Sequence, residues 1–150
     1  MARGDSKGSA SYLLNSLNGD YDLATDTVAW SLVSDTYASI DVNAAGTLSM
    51  SALTVIASAG NYVAGTPLGS KTFSRSGAVI TLDGADISVA ADASNPTTAK
   101  CLVFYNDTSA TDDIICVVDI TDDGTTAPSL VNGFDDTFAA TGLLQVTANA

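Results

Sequence analysis

Carboxylates are the most abundant chemistry-bearing groups in this chain. Seventeen of its 150 residues are acidic, and all seventeen are Asp. Several stand as neighbours: Asp112-Asp113, Asp122-Asp123 and Asp135-Asp136. Carboxylates on adjacent loops can join backbone carbonyls around Ca²⁺, a hard cation that takes about 6–8 oxygens. The best segment for this is Asp119-Ile-Thr-Asp-Asp-Gly124. It lacks the alternating acids and closing Glu of a helix-loop-helix calcium loop. Solvated turn residues that keep the chain soluble are the preferred reading. A carboxylate pair could also work as acid and base in a glycosidase, which would need an aromatic-lined cleft. Trp30 is the only Trp, and its place in an alternating strand pattern sends it to the core.

Cys101 and Cys116 could form a disulfide, a redox pair or two buried hydrophobes. Without a base to activate either thiol, buried reduced cysteines are preferred. The chain has no His, which excludes a Ser-His-Asp triad, a Cys-His dyad and His-ligated zinc. We assign no catalytic, cofactor-binding or metal-ligating residue, and expect a protein that is not an enzyme and uses no cofactor. Two short matches carry little weight. Arg3-Gly4-Asp5 spells an integrin-binding tripeptide but reads as an N-terminal arm, with Asp5 or Ser6 near a helix start. Asn106-Asp107-Thr108 spells a glycosylation acceptor, expected to be unused in a chain made in a reducing cytosol.

The elements that position these groups follow from composition. Glu does not occur, Gln145 is the only Gln, and Lys plus Arg total five, for a net charge of -12. Long solvent-facing helices draw on Glu, Lys, Gln and Arg, so a helical bundle is not expected. Eighteen Thr, seventeen Ser and twelve Gly favour strands and turns. The acidity disfavours nucleic acid as a partner. The longest apolar run, Ile114–Val118, is far short of the roughly 20 residues that span a bilayer, so no membrane partner is expected. The N-terminus shows no apolar core of a signal peptide.

Residues 1–9 read as a flexible N-terminal arm, and residues 10–150 as a single β-sandwich domain. Residues 10–17 are the one helix, with Tyr12, Leu13, Leu14 and Leu17 on a stripe and Asn18-Gly19 as its stop. Apolar alternation then predicts strands over residues 25–34, 47–57, 71–74, 78–82, 86–89, 100–105, 114–120 and 137–147. Arg75-Ser76-Gly77 joins a hairpin, and residues 65–69, 90–99 and 121–133 are loops. The fold class is all-β: an antiparallel β-sandwich of about seven to eight short strands with one short N-terminal helix. Val28, Trp30 and Leu32 are expected to face its core.

The strands at 100–105 and 114–120 can be taken further. A hairpin symmetric about its loop sets Cys101 opposite Cys116, Leu102 opposite Ile115 and Val103 opposite Ile114, so the two cysteines share one face. Both faces of this hairpin are apolar. It must therefore be central, with its second face covered by a loop, by the short helix or by another chain.

The order of segments resembles a family of small structural virion proteins of tailed bacteriophages. The resemblance rests on the helix Tyr12-Leu-Leu-Asn-Ser-Leu-Asn-Gly19, the strand Asp26-Thr-Val-Ala-Trp-Ser-Leu-Val33 and the segment Gly60-Asn-Tyr-Val-Ala-Gly65. It continues through Val79-Ile-Thr-Leu-Asp-Gly-Ala-Asp86, Ala99-Lys-Cys-Leu-Val-Phe-Tyr105, Ile114–Ile120 and Gly142-Leu-Leu-Gln-Val-Thr147. It covers residues 10 to 148. The chain departs from it in a longer stretch at residues 39–58 and in having no second glycine directly after Gly65. The resemblance implies a virion location, after assembly in the cytoplasm of a bacterial host. The first reading is a capsid decoration or cement protein that binds the outside of the assembled head. Its partners would be the major capsid protein and neighbouring copies of itself, as a homo-oligomer on the shell, with no small-molecule substrate. A minor tail or neck/fibre-adaptor protein is the second reading. A secreted calcium- or glycan-binding adhesin module is the third.

Overall fold

The computed structural model describes residues 3–22, 24–137 and 143–147. The chain is an antiparallel β-sandwich with one short helix, and its described residues hold ten strands rather than seven or eight. Strands β1 (Ser6–Gly8), β2 (Val28–Val33), β3 (Thr66–Pro67), β7 (Cys101–Asn106) and β8 (Asp113–Asp119) form a sheet in the order β1-β8-β7-β2-β3. A second sheet runs β10-β5-β4, from Leu144–Thr147, Val79–Asp83 and Thr72–Ser76. A third pairs β6 (Ile87–Val89) with β9 (Phe134–Asp136).

Every residue of β2, β7 and β8 is buried, so the main sheet is the middle layer. Leu102, Phe104, Ile115, Cys116 and Val118, with Val28, Trp30 and Leu32 of β2, pack against Tyr12, Tyr62, Leu68, Leu82, Ile87, Val89, Leu130 and Phe134. The expected inward row of β2 is therefore observed. The opposite face, with Ala29, Val33, Cys101, Val103, Tyr105, Ile114 and Val117, is covered by Tyr37, Ile40, Val42 and Met50 of the chain itself. The central hairpin with a covered second face is as expected. A loop of the same chain covers it, so this face asks for no partner.

The expected strand over residues 47–57 is not formed. This stretch holds a single 3₁₀ turn, Met50–Ala52, and its ladder pairing with the main sheet is limited to the isolated bridges Val33↔Val55 and Ser49↔Asp113. Its apolar residues are needed on one side, where Met50 is buried and Leu48 and Leu53 pack against the second face. A regular strand would turn every other residue away.

The arm expected at residues 1–9 is corrected over Ser6–Gly8. Ser6–Gly8 pairs with β8, in the register Ser6↔Val118 to Gly8↔Cys116. Lys7 Nζ donates to Tyr37 O and Ile40 O and stands 4.3 Å from the Tyr37 ring centroid. Backbone pairing and a bound ammonium hold a segment whose own composition signals no structure. The helix α1, Ala10–Asn18, is capped by Ser9 rather than by Asp5 or Ser6, and ends at Gly19 with φ 83° as expected. Two further edge strands were not predicted: β3, inside the loop expected at residues 65–69, and β9, between the loop at residues 121–133 and the strand expected from residue 137. Of the strand predicted over residues 137–147, Leu144–Thr147 is formed, and residues 138–142 lie outside the described residues.

The β7–β8 register also differs. The observed pairs are Cys101↔Asp119, Leu102↔Val118, Val103↔Val117 and Phe104↔Cys116, then Tyr105↔Ile114 and Asn106↔Asp113 across a bulge. Asn106 Oδ1 accepts from Thr108 N, and Asp113 N donates to Ser109 Oγ, which closes the hairpin at Asn106↔Asp113, two residues away from the expected register. That slip is even and preserves the faces. The bulge adds one residue, Ile115, and reverses them beyond it. Cys101 and Cys116 therefore lie on opposite faces, in separate core clusters, and are not paired neighbours.

Candidate functional site

Among the described residues, two surface clefts stand out. The larger is an apolar groove of about 640 Å³ between α1 and the β10-β5-β4 sheet. The helix contributes Tyr12, Leu13 and Leu17, and the sheet Phe73, Ile80, Leu82 and Leu144. None of its lining residues is charged. Of the expected helical stripe only Tyr12 is buried, while Leu17 is 78% exposed. Strand pairing explains the sheet wall, because Phe73↔Leu82 and Leu144↔Leu82 put three apolar residues abreast. Large apolar side chains are thus left in water on both walls, an arrangement with room for other apolar groups.

The second feature is a polar cleft of about 340 Å³ lined by Asp20, Tyr21, Asp26, Asn106, Thr108–Thr111 and Asp113. Asn106 Nδ2 donates to Asp26 Oδ2 at 2.7 Å, and Thr111 Oγ1 donates to Asp113 Oδ1 at 2.5 Å. Burial raises the Asp113 carboxyl above its ordinary value. The Tyr21 ring is stacked on Tyr12, with centroids 5.1 Å apart. The carboxylates here orient the two loops that meet.

The acidic segment at residues 119–124 is built differently from a calcium loop. Asp119 is buried, and its Oδ1 accepts from both N and Oγ1 of Thr121. Asp123 accepts from Thr125 and Thr126, and these bonds lower its carboxyl well below the usual range. Among the described residues no three Asp, Cys, Glu or His lie close enough to hold a metal ion. Asp112 and Asp113 close the β7–β8 hairpin. Asp135 and Asp136 lie in β9, where burial raises Asp136.

Both cysteines are buried and free. Burial pushes each thiol up to about 12, far from a reactive thiolate at neutral pH. Arg3 lies 6.0 Å from the Phe134 ring centroid, and Gly4 and Asp5 bond to the Asp119 backbone. The tripeptide is thus the lead into β1. Asn106 of the glycosylation-type triplet is fully buried, with its amide committed to Asp26.

Sequence reasoning missed Phe73 and Ile80, the sheet wall of the groove. The signal available was the helix stripe, which holds more apolar residues than a nine-residue helix at a sheet end can bury. None of the protein families, curated proteins or solved structures compared with this chain matches it.

Proposed function

We propose that this chain is a non-enzymatic structural protein of a tailed-bacteriophage virion, a capsid decoration or cement protein that binds the outside of the assembled head. One observation carries the binding role: an uncharged apolar groove, flanked by exposed Leu17 and Phe73, on a chain of net charge -12. Such a surface suits attachment to an apolar ridge of another protein, while the acidic remainder stays in water. The likeness of the segment order to virion proteins supplies the setting. Each bound copy would stabilise the shell by mass action, because it binds the assembled state and not its separated parts. Residues 101–150 hold eight Asp and no Lys or Arg, which suits the outer surface better than contact with packaged nucleic acid.

Binding through apolar area is little screened by salt. Purified protein is therefore mixed with particles that lack it, at low and at roughly molar salt, and bound copies are counted. Saturation on the shell at both ionic strengths is the expected result. Binding only at the tail or neck, in a few copies, would replace decoration by the adaptor reading. Binding to neither, with calcium- or glycan-dependent association instead, would overturn the virion role.

A further inference from the structure

Strand β4, with five residues, is the longest of the outermost strands in the described sheets. Natural sheets blunt their edges with short strands, Pro, Lys, bulges or covering segments. The main sheet ends on the three-residue β1, which carries Lys7, and on the two-residue β3, which carries Pro67. At the far side of the small sheet, β10 lies against the β1–α1 junction, where a Cβ added at Gly8 would meet Leu144 Cδ1 at 3.0 Å. Strand β4 carries one charged residue, Arg75, but is not short and has no Pro and no bulge. Its five residues are all exposed, its pairing with β5 is unbroken from Thr72↔Asp83 to Ser76↔Val79, and its sequence is Thr-Phe-Ser-Arg-Ser.

We propose that β4 pairs antiparallel with β4 of a second copy about a twofold axis at Ser74, joining two three-stranded sheets into one of six. Two features favour a second copy as the occupant. The first is charge. No Asp occurs between Asp41 and Asp83, while Lys71 and Arg75 both fall in that interval. Identical copies at -12 repel one another over most of their surface, whereas β4 itself brings no carboxylate to the seam, the nearest across its sheet being Asp83 opposite Thr72. The second is self-complementarity. Pairing about Ser74 sets Phe73 of each chain opposite Arg75 of the other, on the face shared with Ile80 and Leu82. Arg75 Nε already donates to Gly77 O, which holds the side chain over its own hairpin. A guanidinium against an aromatic face is favourable, and directly opposed cross-strand residues are close enough to make that contact. The apolar groove of each copy would then border a continuous sheet face.

The pairing supplies the self-contact of the shell reading and rests on that reading only for its purpose, since it is tested without particles. The native chain should sediment as a dimer, and Phe73→Asp and Arg75→Asp should each give a monomer with unchanged far-ultraviolet circular dichroism. Exchanging the two residues, F73R with R75F, should restore the dimer, because position 73 still meets position 75. Ser74→Cys should cross-link into a covalent dimer under mild oxidation and Thr72→Cys should not; the native cysteines are buried and do not compete. Should the aspartate variants fail to fold, the Ser74→Cys cross-link decides alone. A native chain that is monomeric at every concentration, a Ser74→Cys variant that does not cross-link, or a dimer indifferent to both aspartates would overturn the proposal.

Discussion

Asp113 shows what a single buried carboxylate does to stability. Burial raises its folded-state value above the 3.8 of the unfolded chain, so the fold prefers the protonated acid. That preference is fully present below pH 3.8 and is lost as pH rises through the folded value. Asn mimics the protonated side chain and can still accept the bond from Thr111 Oγ1. Asp113→Asn should therefore melt higher than the native chain at neutral pH, with the gap closing in acid; a lower melting point at neutral pH would contradict this. Trp30 makes a simpler case. It is buried on β2, 6.0 Å from the Tyr62 ring centroid, and Trp30→Ala should cost about 3–5 kcal/mol in denaturant unfolding. An unchanged midpoint would place Trp30 outside the core. Its burial was legible in the alternation of Val28, Trp30 and Leu32. The opposite-face placement of the cysteines was not, since one bulge residue reverses every later side chain and no residue type announces it.

Among the elements, the strands of the middle layer were easiest to read, because β7 and β8 are apolar on both sides and must lie inside. The edge strands were hardest. Ser6-Lys7-Gly8 has no strand pattern of its own; it is a strand because β8 presents an edge. Turns that hold elements in place offer a sharper test. Gly60, with φ 59°, allows the bend from which Tyr62 reaches back to accept a hydrogen bond at Oη from Leu32 N, at 2.8 Å. A Cβ on Gly60 would stand 2.5 Å from Asn95 Oδ1 and 2.8 Å from Asn95 N. Gly60→Ala should thus exceed the roughly 1–2 kcal/mol cost of a left-handed residue alone. A loss within about 0.5 kcal/mol, the range of ordinary surface changes, would show that the turn relaxes freely.

Among the described residues, most large apolar side chains lie in an enclosed core, while Leu13, Leu17, Phe73 and Ile80 line a groove left open. Leu17 belongs to the groove and adds little to the core, so Leu17→Asp should leave stability within about 0.5 kcal/mol. The same change puts a charge on an uncharged surface and should abolish shell binding, read as bound copies per particle. Full binding by this variant would move the contact away from the groove.

Residue types and their local order were enough for the class of fold, the single N-terminal helix with its glycine stop, the central place of the β7–β8 hairpin and the inward row of β2. These follow from composition and short-range periodicity, which act within a few residues. Long-range packing alone made Ser6–Gly8 an edge strand and laid residues 37–53 over the second face. It also set β7 and β8 together across a bulge, and brought Leu13 and Leu17 to face Phe73 and Ile80 over an open groove. Each of these depends on which distant segment arrives alongside. A strand edge, a sheet face or a helix stripe satisfies its exposed groups with whatever the chain brings near, and local residue patterns do not encode that arrival.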